Sequence, residues 1–392
     1  MQPIKSDLHH AELAHKRILL RADLNVPLHN GTILSDERLI ALLPTLQLIQ
    51  QKNGKIILLT HIDRPQKADP SLSTKVLVPW LQAHGFEVTF EADLDAAYQK
   101  SLHDQKTILL VENLRFYPGE KTTDAAFAKK LARLGDIYVN DAFGMLDRTD
   151  CSVVAVPQLF SPDTRMFGLV IEKELTYAHK LLHDPQHPYT LILGGSKIAD
   201  KIPLIERMVP HLEYLLLCPA VVFTFLKASN KPVGNSLVDN EAIDLCKTII
   251  ELAHKHKTTI VYPIDYLVST GNLSGPYHTQ KADHLNPGEY GVTIGPETQV
   301  LYASIIKQSK TCVYNGLMGD VRFPESLHAV HSVFNAMAQS QAYTVIAGGD
   351  SCAAADVLGV SASISYLSTG GGAFIAYVSG KPLPALDLVL NK

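Results

Sequence analysis

The stretch Leu191–Ile202, LILGGSKIADKI, carries the residue types that phosphate chemistry uses. An apolar run long enough for a buried strand breaks at Gly194 and Gly195, and a helix-like segment bearing Lys197 and Lys201 begins. Glycines after a strand let the backbone come close to a ligand, and a helix's first turn offers unpaired N–H groups and the positive end of its dipole. Two lysines four residues apart add mobile positive charge. A plain turn with solvated lysines is the alternative this stretch alone leaves open, and no Walker A pattern occurs in the chain.

A second group collects behind the strand-like runs of the first half. Asp23 and Asn25 follow the first such run, His61 and Arg64 follow KIILLTH, Arg115 follows VENL, and Asp141 and Arg148 follow IYVN; Arg38 opens a helical pattern behind Asp36 and Glu37. Guanidinium matches carboxylate and phosphate with paired hydrogen bonds, so arginines recurring at one sheet edge point to a small, multiply anionic ligand. In the second half glycines mark four strand ends: Gly194 and Gly195, Gly316 and Gly319, Gly348 and Gly349, and Gly370, Gly371 and Gly372. Asp350 is a hard oxygen ligand placed to meet phosphate-bound magnesium, and equally a helix N-cap before Ser351; the two roles are compatible.

These residues need a scaffold with its strand ends at one edge. RILLRADL, KIILLTH, EVTFEA, TILLVENL and IYVND alternate with helical patterns such as Arg38 to Gln50 and Asp124 to Leu134, which predicts a parallel sheet covered on both faces. The beat resumes after a long helix, Val170 to His183, with LILGG, YLLLCPAVV, TIVYPID, TCVYNG, YTVIAGGD and ISYLSTGGGA. The expectation is α/β: two doubly wound, Rossmann-like parallel-sheet domains joined by a hinge helix, at residues 1–168, 169–185 and 186–379. A chain of 392 residues suits two domains of ordinary size.

A formal charge of -4 leaves no basic surplus for nucleic acid, and the 17 histidines show no HExxH or clustered Cys/His spacing. Five scattered cysteines without CxxC pairs fit reduced thiols. The first residues lack the apolar stretch of a secretory signal, and the longest apolar segment, Tyr214 to Leu226, is too short to span a bilayer. A soluble, cytoplasmic monomer with no nucleic-acid or membrane partner is expected.

RADLNVPL, SDERLIALLPT, THIDRP, ENLRFYPGE, NDAFG, EKEL, GGSKIADK, TFLKA, IGPET, YNGLMG, AGGDSCAAA and STGGGA follow one another in an order that resembles the phosphoglycerate kinase family along nearly the whole chain. The resemblance implies reversible phosphoryl transfer between 1,3-bisphosphoglycerate and MgADP, giving 3-phosphoglycerate and MgATP, with the last residues, about 380–392, returning to the first domain. It implies a phosphoglycerate site at Asp23, Asn25, Arg38, His61, Arg64, Arg115 and Arg148. It implies a nucleotide and transfer site at Gly195, Ser196, Lys197, Lys201, Asn315, Gly349, Asp350, Ser351, Gly370, Gly371 and Gly372, with Asp350 holding magnesium. Arg38, Lys197, Gly349 and Gly372 stand closest to the transfer itself.

The chain also departs from the family. Asp147 and Asp150 stand where histidines are usual and Asp63 where a glycine is usual, and carboxylates beside an anion site oppose a negative ligand unless they face away. Cys218, Pro219 and Ala220 replace a glycine triplet near the implied adenine wall, Thr293 replaces an aspartate, and Arg322 stands where a ribose-binding glutamate is usual, with Glu325 as a substitute. These departures motivate a competing class, a catalytically weak binding or scaffold protein on the same fold. A nicotinamide dehydrogenase is disfavoured, because no GxGxxG turn with an acidic partner downstream occurs.

Overall fold

The computed structural model describes residues 4–103, 107–271, 274–319, 323–368 and 370–390. It separates into two compact units, Met1–Thr176 with Pro382–Lys392, and Tyr177–Lys381.

The first unit is built on β1 (Arg17–Ala22), β2 (Lys55–Leu59), β3 (Val88–Glu91), β4 (Ile108–Val111), β5 (Ile137–Asp141) and β6 (Arg165–Phe167). They form one parallel sheet in the order β3-β4-β2-β1-β5-β6, with Ile18 opposite both Ile56 and Ile137. Five of the six residues of β1 are buried, as a central strand covered on both faces requires. The helix α1 (Glu37–Gln51) presents Leu39, Leu42, Leu46 and Ile49 to this core.

The helix α2 (Leu169–His183) carries the chain from the first unit into the second. Its start is fixed from a distance. The Asp141 carboxylate, buried at the end of β5, accepts the N–H groups of Val170 and Ile171 at 2.9 and 3.1 Å and the Thr45 hydroxyl at 2.5 Å. Gly168 precedes the helix because a side chain there would run into that carboxylate.

The second unit holds β7 (Tyr189–Gly195), β8 (Tyr214–Ala220), β9 (Thr259–Val261), β10 (Asp265–Thr270), β11 (Tyr277–Lys281), β12 (Glu289–Ile294), β13 (Thr311–Asn315), β14 (Tyr343–Ala347) and β15 (Tyr366–Ser368). Its parallel sheet runs β9-β8-β7-β13-β14-β15, and β11-β10-β12 form a separate antiparallel sheet. Chain order reverses between β7 and β13, the place where such sheets open a crevice at their carboxyl ends. The helices α3 (Ile202–Met208), α4 (Gly349–Val357) and α5 (Gly372–Val378) start at that edge, and α6 (Pro384–Leu390) belongs to the first unit.

Burial pushes the Asp141 carboxyl up to about 7, above its unfolded value, so between these values the folded chain holds a proton that the unfolded chain has lost. Its contribution to stability is present at acidic pH and lost as pH rises through about 7. Asp141→Asn should flatten the decline of unfolding midpoint between about pH 4 and pH 7, measured by urea titration across that range.

Candidate functional site

At the carboxyl edge of the first sheet, Asp23 follows β1 and its Oδ1 accepts Arg38 Nη1 at 2.5 Å. Asn25 Oδ1 accepts the Asp63 N–H at 2.7 Å, and the Asp63 carbonyl accepts Arg115 Nη1. Asp63 has φ 53, the left-handed region in which glycine is favoured and aspartate tolerated. Its backbone thus ties Asn25 to Arg115 while its side chain stands exposed. His61 is buried and meets Arg21 Nη2 through Nδ1 at 3.1 Å. Desolvation first, then Arg21, Arg115, Arg38 and Lys121, hold the imidazole well below its ordinary pKa, so the ring is neutral. Arg64 is exposed, and Arg148 is exposed and pairs with Asp147 at 3.4 Å.

Repulsion expected from the extra carboxylates is answered locally. Asp150 is buried, accepts Lys121 Nζ at 2.9 and 3.0 Å and lies 3.9 Å from Arg115 Nη2. Burial pulls the Arg115 pKa down and Asp150 opposes that pull. The edge therefore bonds Asp23 to Arg38 and to Asn25, and Asn25 through Asp63 to Arg115; His61 is bonded to Arg21 instead, Arg64 stands exposed, and Arg148 is left with its own neighbour. Arg21, Lys121, Glu120 and Ser152 belong to the same edge and were not singled out from sequence. An arginine inside the apolar run RILLRA was the available signal, since a buried guanidinium must find partners.

In the second unit, Gly195, Ser196, Lys197, Lys201 and Asp350 line one cavity of about 960 Å³. Gly194 and Gly316 explain how the chain makes room: a side chain on either would strike the backbone of the other, so the ends of β7 and β13 pass in direct contact. Lys201 Nζ donates to Asn315 Oδ1 at 2.8 Å, and Asn315 Nδ2 donates to the Ala347 carbonyl at 2.8 Å. Desolvation lowers the Lys201 pKa to about 8, with Asp200 opposing.

Two local expectations are corrected. Lys197 and Lys201 do not share the first turn of an α-helix: residues Ala199–Lys201 form a 3-10 turn, with Pro203 at the start of α3, so Lys197 stands exposed ahead of the turn while Lys201 folds inward. Asp350 is not the N-cap of α4. Gly348 takes that place with φ 117, which leaves Asp350 exposed within the first turn and Ser351 buried. Gly371 caps α5 with φ 50, and a methyl group on it would lie 3.9 Å from the Gly349 nitrogen, so the two glycine turns adjoin.

Pro219 and Ala220, after a register shift in β8, line the cavity wall with Leu237, Tyr290, Gly291, Leu317 and Phe323. Sequence reasoning missed the aliphatic and aromatic members, which lie in irregular chain or in the antiparallel sheet and carry no periodic signal. Cys218 is fully buried behind Pro219, and the Thr293 hydroxyl is buried without a hydrogen-bond partner among the described residues. Arg322 lies outside the described residues; Glu325 is exposed in the first turn of the helix Pro324–Gln339. Among the described residues no group of three or more His, Cys, Asp or Glu could hold a metal by itself, and no helix is long and apolar enough to cross a membrane.

The sequence model of the family described as Phosphoglycerate kinase matches residues 8–381. A phosphoglycerate kinase of Pseudothermotoga lettingae is 36% identical over 389 residues, covering 97% of each chain. One of Aquifex aeolicus is 35% identical over 388 residues, again 97% of each. Among solved structures, phosphoglycerate kinase from Coxiella burnetii matches with TM-score 0.85 at 29% identity over 97% of both chains.

Gly316 has φ 87 and no space for a methyl group, which would lie 2.8 Å from Lys201 Nζ as well as against Gly194. Gly316→Ala should cost at least about 2 kcal/mol of stability, since both a left-handed backbone and a collision are imposed. Gly349→Ala, with open space at its Cβ and φ outside the left-handed region, should cost far less. Denaturant midpoints of the two variants test the contrast.

Proposed function

Since this chain belongs to the phosphoglycerate kinase family, we propose that it transfers a phosphoryl group reversibly between 1,3-bisphosphoglycerate and MgADP, giving 3-phosphoglycerate and MgATP. The observation that carries this reading is the pairing of two different anion cradles in one chain: a guanidinium-rich edge on the first unit and a lysine- and glycine-lined cavity on the second.

The first cradle suits phosphoglycerate. Arg115 and Arg64 supply donors for its phosphate, and His61 adds an uncharged N–H. Arg38, held by Asp23, neutralises the carboxyl end where the phosphoryl group is received. Arg148 reaches the ligand only by leaving Asp147, a weak exposed pair worth at most about 1 kcal/mol.

The second cradle suits a nucleotide. Lys201, Gly195 and the Gly370–Gly372 turn hold phosphates, and the apolar wall of Pro219, Ala220, Leu237 and Tyr290 receives the base by shape. One exposed carboxylate, Asp350, together with nucleotide phosphates and water, fits magnesium, an ion that keeps several waters and takes few protein ligands. When bound there, magnesium neutralises phosphate charge. Lys197, exposed at the cavity, follows the transferring group as negative charge spreads over its oxygens.

Alignment and charge supply the rate in such a reaction, and little covalent work is asked of the protein. Both ligands must meet with water excluded, so bending at α2 is part of this proposal. A monomer working in the cytoplasm is proposed with it; five buried, unpaired cysteines fit that reducing compartment.

A coupled assay with 3-phosphoglycerate and MgATP should show turnover, and absence of turnover would favour a binding protein instead. Arg38→Ala and Lys197→Ala should each lower kcat by about 10²-fold or more, whereas Lys173→Ala on α2 should stay within about twofold. Equal losses would contradict the assignment.

Phosphate beside Lys201 favours its protonated form, so the free lysine, with a pKa of about 8, must take up a proton when nucleotide binds above that pH. Affinity should fall as pH rises past about 8. Calorimetric titration with MgADP at about pH 8.5, in two buffers of different ionisation enthalpy, should show proton uptake that Lys201→Met abolishes.

A further inference from the structure

Arg21 is an anomaly inside the central strand of the first unit. It is 0% exposed, and a charge buried without partners is strongly destabilising. Its guanidinium is answered on every side. Nε donates to Ser152 Oγ at 2.8 Å, Nη1 donates to the Ala22 carbonyl, and Nη2 donates to His61 Nδ1 at 3.1 Å, with Glu120 Oε1 4.0 Å away. Ser152 completes the frame by donating its hydroxyl to Glu120 Oε1 at 2.6 Å and its N–H to Oε2 at 3.0 Å. Tyr138 donates to the Ser152 carbonyl at 2.8 Å.

The direction of one of these bonds has a chemical consequence. Arginine has five N–H donors and no acceptor, so at the Arg21–His61 contact Nδ1 must be the acceptor. The proton of a neutral imidazole then sits on Nε2, which makes no hydrogen bond to the described residues. The charges that act most on the ring are Arg21, Arg115, Arg38 and Lys121; the carboxylates near them are Glu120 behind Arg21, Asp23 on Arg38, and Asp150 on Arg115 and Lys121. Together with burial those cations disfavour a further one here.

On the phosphoglycerate reading of this edge, we propose that Arg21 is a positioning residue: framed by Ser152 and Glu120, it locks His61 as the Nε2–H tautomer and so presents the substrate's phosphate with one directed, uncharged donor. A free neutral imidazole divides between two tautomers, and only one of them can donate from Nε2. Arg21 removes that choice without touching the ligand.

The test uses the full chain labelled with ¹⁵N-histidine, with His61 identified by the signals lost in His61→Gln. Long-range ¹H–¹⁵N correlation should show the Nε2–H tautomer unchanged from about pH 6 to pH 8. An Nδ1–H tautomer or an imidazolium in that range would overturn the proposal. Arg21→Met is combined with Glu120→Gln, so that no buried carboxylate is left unpaired. In this double variant His61 should exchange between tautomers, while burial and the remaining cations Arg115, Arg38 and Lys121 keep it neutral. Its KM for 3-phosphoglycerate should rise about twofold over the parent's, by a factor that stays constant from pH 6 to pH 8 because tautomer exchange binds no proton. The phosphate's own titration cancels in that ratio, and KM should change more than kcat. Glu120→Gln alone keeps Arg21 and should keep the parent's tautomer. A double variant with the parent's tautomer and the parent's KM would also overturn the proposal. If the parent did not use 3-phosphoglycerate, the functional reading would fail while the spectra still decided the tautomer.

Discussion

Like charges crowded at a sheet edge repel one another, and a protein that binds small polyanions must hold its cations together before any anion arrives. This chain does so by giving most of these cations a fixed acceptor, one of which serves two of them. Asp23 holds Arg38, the Asp63 carbonyl and Asp150 hold Arg115, Asp150 holds Lys121, Ser152 and Glu120 frame Arg21, and Asn315 holds Lys201. The acceptors differ in kind. Carboxylates serve the first unit, where guanidinium groups stay charged; a neutral amide serves Lys201, whose pKa falls toward 8 and which therefore gains most when a phosphate comes close.

Backbone geometry makes the second cradle available. Where β7 and β13 part at the reversal of strand order, Gly194 and Gly316 let two chain segments touch, and the cavity opens beside them. Lys201 can then reach Asn315 across 114 residues of sequence. The first cradle is built differently. Apart from Arg38 in the first turn of α1, its candidates Asp23, Asn25, His61, Arg64 and Arg115 sit on short loops and turns pinned by side chains, with Asn113 donating to the Ile62 and Leu72 carbonyls at 2.8 and 2.9 Å, and Thr60 accepting the Leu24 N–H at 3.0 Å.

Much of the fold was legible because the six-stranded sheet of each unit is parallel: their central strands are nearly continuous apolar runs, and the long α2 pattern stands apart from them. Residues placed just after strands were legible as site candidates for the same reason. Long-range pairing was not. Asp150 reads as an added repulsion until Lys121, 29 residues earlier, is seen beside it. Arg21 reads as part of a strand until its partners on three other segments appear. The N-cap of α4 went to Gly348 rather than Asp350 because the chain turns with φ 117 there, a geometry that a local aspartate pattern does not reveal. The cavity wall escaped notice because Leu237 and Tyr290 contribute shape, and shape has no sequence spacing.

The central claim is that this protein supplies charge and alignment, and that the phosphoryl group passes straight from one bound ligand to the other. Ser196, Asp200 and Asp350 line the cavity and in principle could serve as a covalent station, so the claim has a direct alternative. Transfer from ATP made chiral at the γ-phosphorus to 3-phosphoglycerate distinguishes them. A single in-line displacement predicts inversion of configuration at phosphorus; net retention, the outcome of two displacements through a phosphorylated side chain, would contradict the account.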